Sequence, residues 1–187
     1  MNAREKMVMS AALLMRQQGV EGTSFSQVID ASGAPRGSIY HYFPDGKVQL
    51  MREATRWGGE FITDQLARAF EEGGPHAALD FSETFWRAVL TESDFRDGCP
   101  IVAATVEGER APDVRDAAGR VFKGWAELVA DGLERHGVER ERARSLGSFF
   151  FSAVEGAVIL ARAQRSLEPL DRTFGELRRV LDDALAG

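Results

Sequence analysis

Gly33-Ala34-Pro35-Arg36-Gly37-Ser38-Ile39-Tyr40-His41-Tyr42-Phe43-Pro44-Asp45-Gly46-Lys47 is the stretch on which the fold of this chain turns. Gly33 ends one helix, Pro35 suits the first turn of another, and Pro44-Asp45-Gly46 breaks that second one after barely two turns. At ~100° per residue, Arg36, Gly37, Tyr40 and His41 share one side, while Ile39 turns away and can pack with Val28 and Ile29. Two short helices joined at Ser32-Gly33-Ala34 form the helix-turn-helix pattern, whose second helix is small enough to enter the DNA major groove. Arginine can donate twice to guanine, a serine hydroxyl bonds bases or phosphates, and glycine lets backbone approach closely. Lys47 is placed to neutralise a phosphate. A small three-helix packing unit with a polar outer face would carry the same pattern, with Tyr40 and Tyr42 as half-buried rings whose hydroxyls stay wet.

Working outward, Val8, Ala11, Ala12 and Met15 keep helical spacing and predict a first helix ending near Gly19. Ser24-Phe25-Ser26-Gln27 has the S-x-x-Q form of a capping box and opens a second helix that stops at Gly33. The third runs from near Pro35 to about Phe43. Beyond Lys47 the pieces lengthen, to helices at about 46–72, 75–92, 100–109, 112–136, 141–166 and 169–185. Their breaks fall at Gly73-Gly74-Pro75, at Asp94 to Pro100, at Ala111-Pro112, at Gly137 and near Glu168-Pro169. No stretch alternates as a strand does and no repeat is evident, so the chain reads as all-α.

Composition bounds the function. Of 187 residues, 44% are hydrophobic and 28% charged, which supports a packed core rather than disorder. A net charge of −6 argues against a general nucleic-acid coat, but its distribution permits DNA binding. Residues 1–47 carry five basic against four acidic groups, and residues 48–187 carry 18 against 25. The single Cys99 can make no internal disulfide, so a reducing cytoplasm is the expected location. His41, His76 and His136 have no metal-site spacing, and no nucleophile elbow, phosphate loop or H-E-x-x-H helix is present, so no catalytic set, metal or cofactor is expected. No stretch approaches the ~20 apolar residues of a bilayer span, and no membrane partner is expected.

The Gly33 to Lys47 segment, preceded by Gly19-Val20-Glu21-Gly22-Thr23-Ser24 and Gln27-Val28-Ile29, resembles the DNA-binding signature of TetR-family transcriptional repressors. It departs in having Pro35 where serine is usual and one extra residue in Pro44-Asp45-Gly46. With Gly98-Cys99-Pro100 and Glu155-Gly156-Ala157, these features resemble the LmrA/YxaF-type subgroup. The resemblance implies an N-terminal three-helix helix-turn-helix domain at 1–47 and a larger helical effector-binding and dimerisation domain at 48–187. It implies base contact at Arg36, Gly37, Ser38 and His41, and phosphate contact at Ser24, Ser26, Tyr40, Tyr42 and Lys47.

The same resemblance implies that the last two helices pair with a second copy. Their apolar stripes contain Phe150, Ala153, Ala157 and Leu160, then Phe174, Leu177 and Leu181, with Gly147 and Gly156 allowing close helix approach. A homodimer would match a palindromic double-stranded DNA operator. Between reader and dimer helices it implies a cavity for a small apolar or aromatic effector, with Phe61, Gln65, Phe85, Trp86, Thr105, Phe122, Trp125 and Phe149 as candidate lining and Glu107 and Glu155 as further polar members. Taken singly, such aromatics are ordinary core residues. A small all-helical enzyme or carrier using the cavity directly is the alternative reading.

Overall fold

The computed structural model describes residues 1–106 and 110–187. Among the described residues the chain forms eight helices and no strand: α1 (Ala3–Gly22), α2 (Phe25–Ser32), α3 (Ser38–Tyr42), α4 (Gly46–Glu92), α5 (Pro100–Thr105), α6 (Pro112–Arg135), α7 (Arg140–Gln164) and α8 (Glu168–Ala186). The fold is all-α. It divides into two compact units, Met1–Phe61 with Cys99–Val121, and Ile62–Gly98 with Phe122–Gly187.

In the first unit, Asn2 caps α1 through a reciprocal box with Glu5. Gly19, at φ 77°, interrupts the helix where the sequence predicts its end, and one further turn follows to Gly22. The fully buried Thr23 donates its hydroxyl to the Gly19 carbonyl at 2.8 Å, satisfying an oxygen that the interruption releases. Ser24 and Gln27 form the predicted capping box of α2, and Gly33 ends that helix in the left-handed region at φ 66°. The third helix begins later than predicted, at Ser38 rather than near Pro35, because Pro35 to Gly37 form a turn closed by the Ser38 amide on the Pro35 carbonyl. Met7, Ala11, Met15, Val28, Ile39 and Phe43 make the core, each 1% exposed or less. α1 packs against α2 and α5.

In the second unit, α4 is broken at Gly73 and Gly74, the latter at φ 70°, with Pro75 next, so the two predicted segments are present within one helical run. Gly132 lets α6 approach Phe70, since a β-carbon there would stand 2.5 Å from the ring. Gly147 likewise lets α7 lie on α6, with 2.3 Å from such a carbon to the Ala126 carbonyl oxygen. Arg178 bridges Asp80 at 2.7 Å and Glu83 at 3.0 Å, and Arg87 bridges Glu83 and Asp171, so ion pairs stitch α8 to the later half of α4. Hydrogen bonds that the guanidinium groups donate to Asp171 and Asp80 raise the Arg87 and Arg178 pKa values above the ordinary arginine value. Contrary to the sequence reading, α7 is long and apolar enough by length and composition to cross a membrane. It packs as a helix of this unit, burying Leu146, Phe151, Val154, Ala157, Val158 and Ala161.

Candidate nucleic-acid interface and apolar pocket

The reader face is built by anchoring one side of α3. Ile39 is fully buried and Phe43 nearly so, which turns Tyr40 and His41 outward, and Arg36 and Gly37 are exposed on the turn that precedes the helix. Tyr40 is 70% exposed, its ring held edge-on against Phe25 at 5.7 Å. His41 meets Tyr42 at 5.4 Å, and Tyr42 is half-buried. Ser38 is half-buried and donates its hydroxyl to the Pro35 carbonyl at 2.7 Å, so it holds the turn before α3. Ser24 and Ser26 lie exposed at the start of α2, where unpaired helix amides favour a phosphate. In this arrangement donors, rings and backbone sit on one exposed surface of a helix of groove-entering size.

Lys47 is the informative case. Its ammonium donates to the Glu21 carbonyl at 2.9 Å, at the C-terminal end of α1, where a cation also offsets the helix dipole. It therefore ties the start of α4 to the end of α1. Sequence spacing suggested a phosphate contact but gave no sign of this partner, 26 residues away. Arg4 adds a second clasp, bonding Glu53 at 2.5 Å with its guanidinium over the Phe43 ring.

The aromatic candidates divide between exposed rings and packed core. Trp125 is 3% exposed, donates its indole N–H to the Thr63 hydroxyl at 3.1 Å, stacks on Phe151 at 5.2 Å and meets Phe122 edge-on. Trp86 is buried against Phe85, with ring centroids 5.3 Å apart. Phe61 is 44% exposed and stacks on Trp57, and Gln65 is half-buried. Thr105 donates to the Val102 carbonyl of its own helix. Phe61 and Thr105 belong to the first unit and the other six to the second. Glu155 is buried on α7, and Glu107 lies outside the described residues. Cys99 is buried at the N-cap of α5.

The second unit contains a half-open apolar cavity of about 50 Å³, walled by Phe70, Leu79, Leu133, Leu146 and Phe149 among others. Of the eight candidate lining residues only Phe149 reaches it. The candidate dimer residues divide too. Ala157, Phe174 and Leu177 are in the chain's own core, at 2%, 1% and 5% exposed. Phe150, Ala153 and Leu181 are half-buried, and Leu160 is 52% exposed. Ile159, absent from the candidate set, is 50% exposed beside it, and a β-carbon on Gly156 would meet nothing within 4 Å. Periodicity located the stripe; it could not say that Gly147 serves contact with α6 while Gly156 lies open.

Comparison with known proteins bears on family and fold. A family model described as bacterial regulatory proteins, tetR family, matches residues 9–54, and one described as transcriptional regulator LmrA/YxaF-like, C-terminal domain, matches residues 75–176. The chain is 43% identical over 184 residues to the HTH-type transcriptional regulator Rv0196 of Mycobacterium tuberculosis, covering 95% of this chain and 93% of that one. It is 30% identical over 177 residues to the HTH-type transcriptional regulator LmrA of Bacillus subtilis, covering 90% and 91%. A TetR transcriptional regulator of Legionella pneumophila shares the fold at TM-score 0.83 and 22% identity, over 96% of this chain and 97% of that chain.

Proposed function

The chain belongs to the TetR family of bacterial transcriptional regulators, with an LmrA/YxaF-like C-terminal domain, and on that footing we propose that it is a cytoplasmic homodimeric repressor released from a palindromic operator by a small apolar or aromatic effector. The observation that carries the reading is the exposed Arg36, Gly37, Tyr40 and His41 face set on a buried Ile39 and Phe43 anchor. In it, Arg36, Gly37, Ser38 and His41 read bases, and Ser24, Ser26, Tyr40, Tyr42 and Lys47 position the unit on phosphates. Residues 1–47 act as reader and 48–187 as effector-binding and dimerisation region. The exposed α7 side chains Phe149, Ile159 and Leu160 support association with a second copy, since a partner helix would remove their apolar surface from water.

Release follows from packing. α5 lies on α1, with Ile101 and Ala104 buried, and a close-packed core transmits a shift of one helix to its neighbour. An effector that displaces α5 therefore repositions the reader, and two recognition helices no longer fit half-sites about 34–36 Å apart. The effector acts only through its differential affinity for the free and DNA-bound dimer; ~100-fold release needs about 2.7 kcal/mol. Electrophoretic mobility shift with DNA flanking the chain's own gene tests the reading. A sequence-dependent shift is expected, and binding indifferent to sequence would return the chain to the enzyme or carrier reading.

A further inference from the structure

Two helices of the second unit end in the same unusual way. α4 closes with Asp94 at φ 53° and Phe95 at φ 59°, and α7 closes with Arg165 at φ 50°. Among the described residues these are the three other than glycine in the left-handed region, where a side chain is strained and glycine is the usual choice. At both ends the amide after the first left-handed residue returns to a carbonyl five residues back, Phe95 to Leu90 at 2.7 Å and Ser166 to Ala161 at 3.1 Å. Glycine would serve either turn at less cost, yet the two charged residues are each other's partners. The Arg165 guanidinium meets the Asp94 carboxylate at 2.7 Å and donates to the Asp94 carbonyl at 3.3 Å. One turn earlier, Arg162 donates to the Arg96 carbonyl at 2.9 Å and lies so close to Gly98 that a β-carbon there would stand 2.5 Å from its Nη1. The end of α7 thus grips residues 94–98 at both ends.

That strap matters for what it joins. The chain passes between the two units three times, at 61–62 inside α4, at 121–122 inside α6 and at 98–99, and the last of these lies in irregular chain. Cys99 and Pro100 then open α5, whose Pro100 and Ile101 lie over Gly58, and α5 packs on α1. We infer that Arg162 and Arg165 are positioning residues of the reader: with the Asp94 carboxylate and the strap carbonyls they fix the point from which α5 starts, and so hold α1 in the arrangement that binds operator. The inference rests on the repressor reading above. Asp94 and Arg165 are 72% and 58% exposed, so water screens their attraction, and opening the pair relaxes strained backbone. A grip so balanced releases on a small displacement at the end of α7.

Charge exchange in the full chain tests this. Asp94→Arg and Arg165→Asp each break the pair, and together they restore it with the signs reversed, at sites that already hold charged residues in the left-handed region. The single variants change the net charge in opposite directions, so a purely electrostatic effect on DNA binding would have opposite signs in the two. Each is expected instead to bind DNA flanking the chain's own gene at least about fivefold more weakly and to exchange amides faster in α5, with α8 unchanged. The double variant is expected to recover both. Gly98→Ala, which displaces the Arg162 guanidinium without altering charge, is expected to weaken binding likewise, and Asp94→Asn gives the same test should a charge reversal fail to fold. Operator affinity unchanged in both single variants, or a double variant no better than either, overturns the inference and leaves the repressor reading in place. A parent chain that binds flanking and scrambled DNA alike overturns that reading and the inference together.

Discussion

The two units solve the problem of a helical core in opposite ways. The first uses short helices around slender side chains such as Met7, Ala11, Met15, Val28 and Ile39, all buried, and turns its polar groups outward on α2 and α3. The second uses long helices around stacked aromatics, Trp125 on Phe151 and Phe85 against Trp86, and leaves a half-open apolar cavity of about 50 Å³. A small filled core fixes a rigid recognition surface, whereas large rings on long helices leave gaps between them. The difference gives each unit a distinct vulnerability, and mutations should expose it.

The largest effect is expected at the anchor of the reader. Phe43→Ala should destabilise the first unit by about 3–5 kcal/mol and abolish operator binding, read by chemical denaturation and mobility shift. Ile101→Ala on α5 sharpens the division between units, because α5 groups with α1 rather than with α7 and α8. A loss of about 2–5 kcal/mol is expected, with amide exchange quickened in α1 and unchanged in α7. Equal quickening in both helices would dissolve the distinction.

Within the reader, Arg36→Ala should relax sequence preference at a cost of about 1–3 kcal/mol, whereas Lys47→Met should weaken all sequences alike and lower the salt slope. Because Lys47 also holds the Glu21 carbonyl, its loss should lower the melting temperature of the free protein, and that of Arg36 should not.

The smallest effect concerns the start of α7. Glu139 accepts from the Glu141 and Arg142 amides, and these bonds hold its carboxylate below the usual glutamate value. Its contribution is thus present above the ordinary value of about 4.3 and is lost as pH falls through the lower folded one. Amide exchange at the first turn of α7 should quicken in that acid window, and Glu139→Gln should remove the pH dependence.

How much was legible in the sequence follows the range of the chemistry involved. Ser24 with Gln27, Gly33, and Gly73-Gly74-Pro75 act within a few residues, and their capping box, helix stop and helix break stand where spacing put them. Tyr40 and His41 face outward because Ile39 faces inward, a consequence of helical period, whereas Arg36 is exposed on the turn before α3. The rest depends on partners far along the chain. Lys47 reaches Glu21, Gly147 meets Ala126 and α5 packs on α1, and no local pattern announces any of these. An apolar stripe also says which residues leave water without saying what covers them. Phe174 and Leu177 are covered by their own chain, while Leu160 and Ile159 are not.

Fluorescence anisotropy of the full chain on DNA flanking its own gene, against the same composition scrambled, tests most directly whether the α3 face is a sequence reader. The expected result is binding by a dimer at least about 10³-fold tighter on the flanking DNA, with the preference reduced by Arg36→Ala. Equal affinity for both DNAs, or a preference untouched by Arg36→Ala, would contradict it.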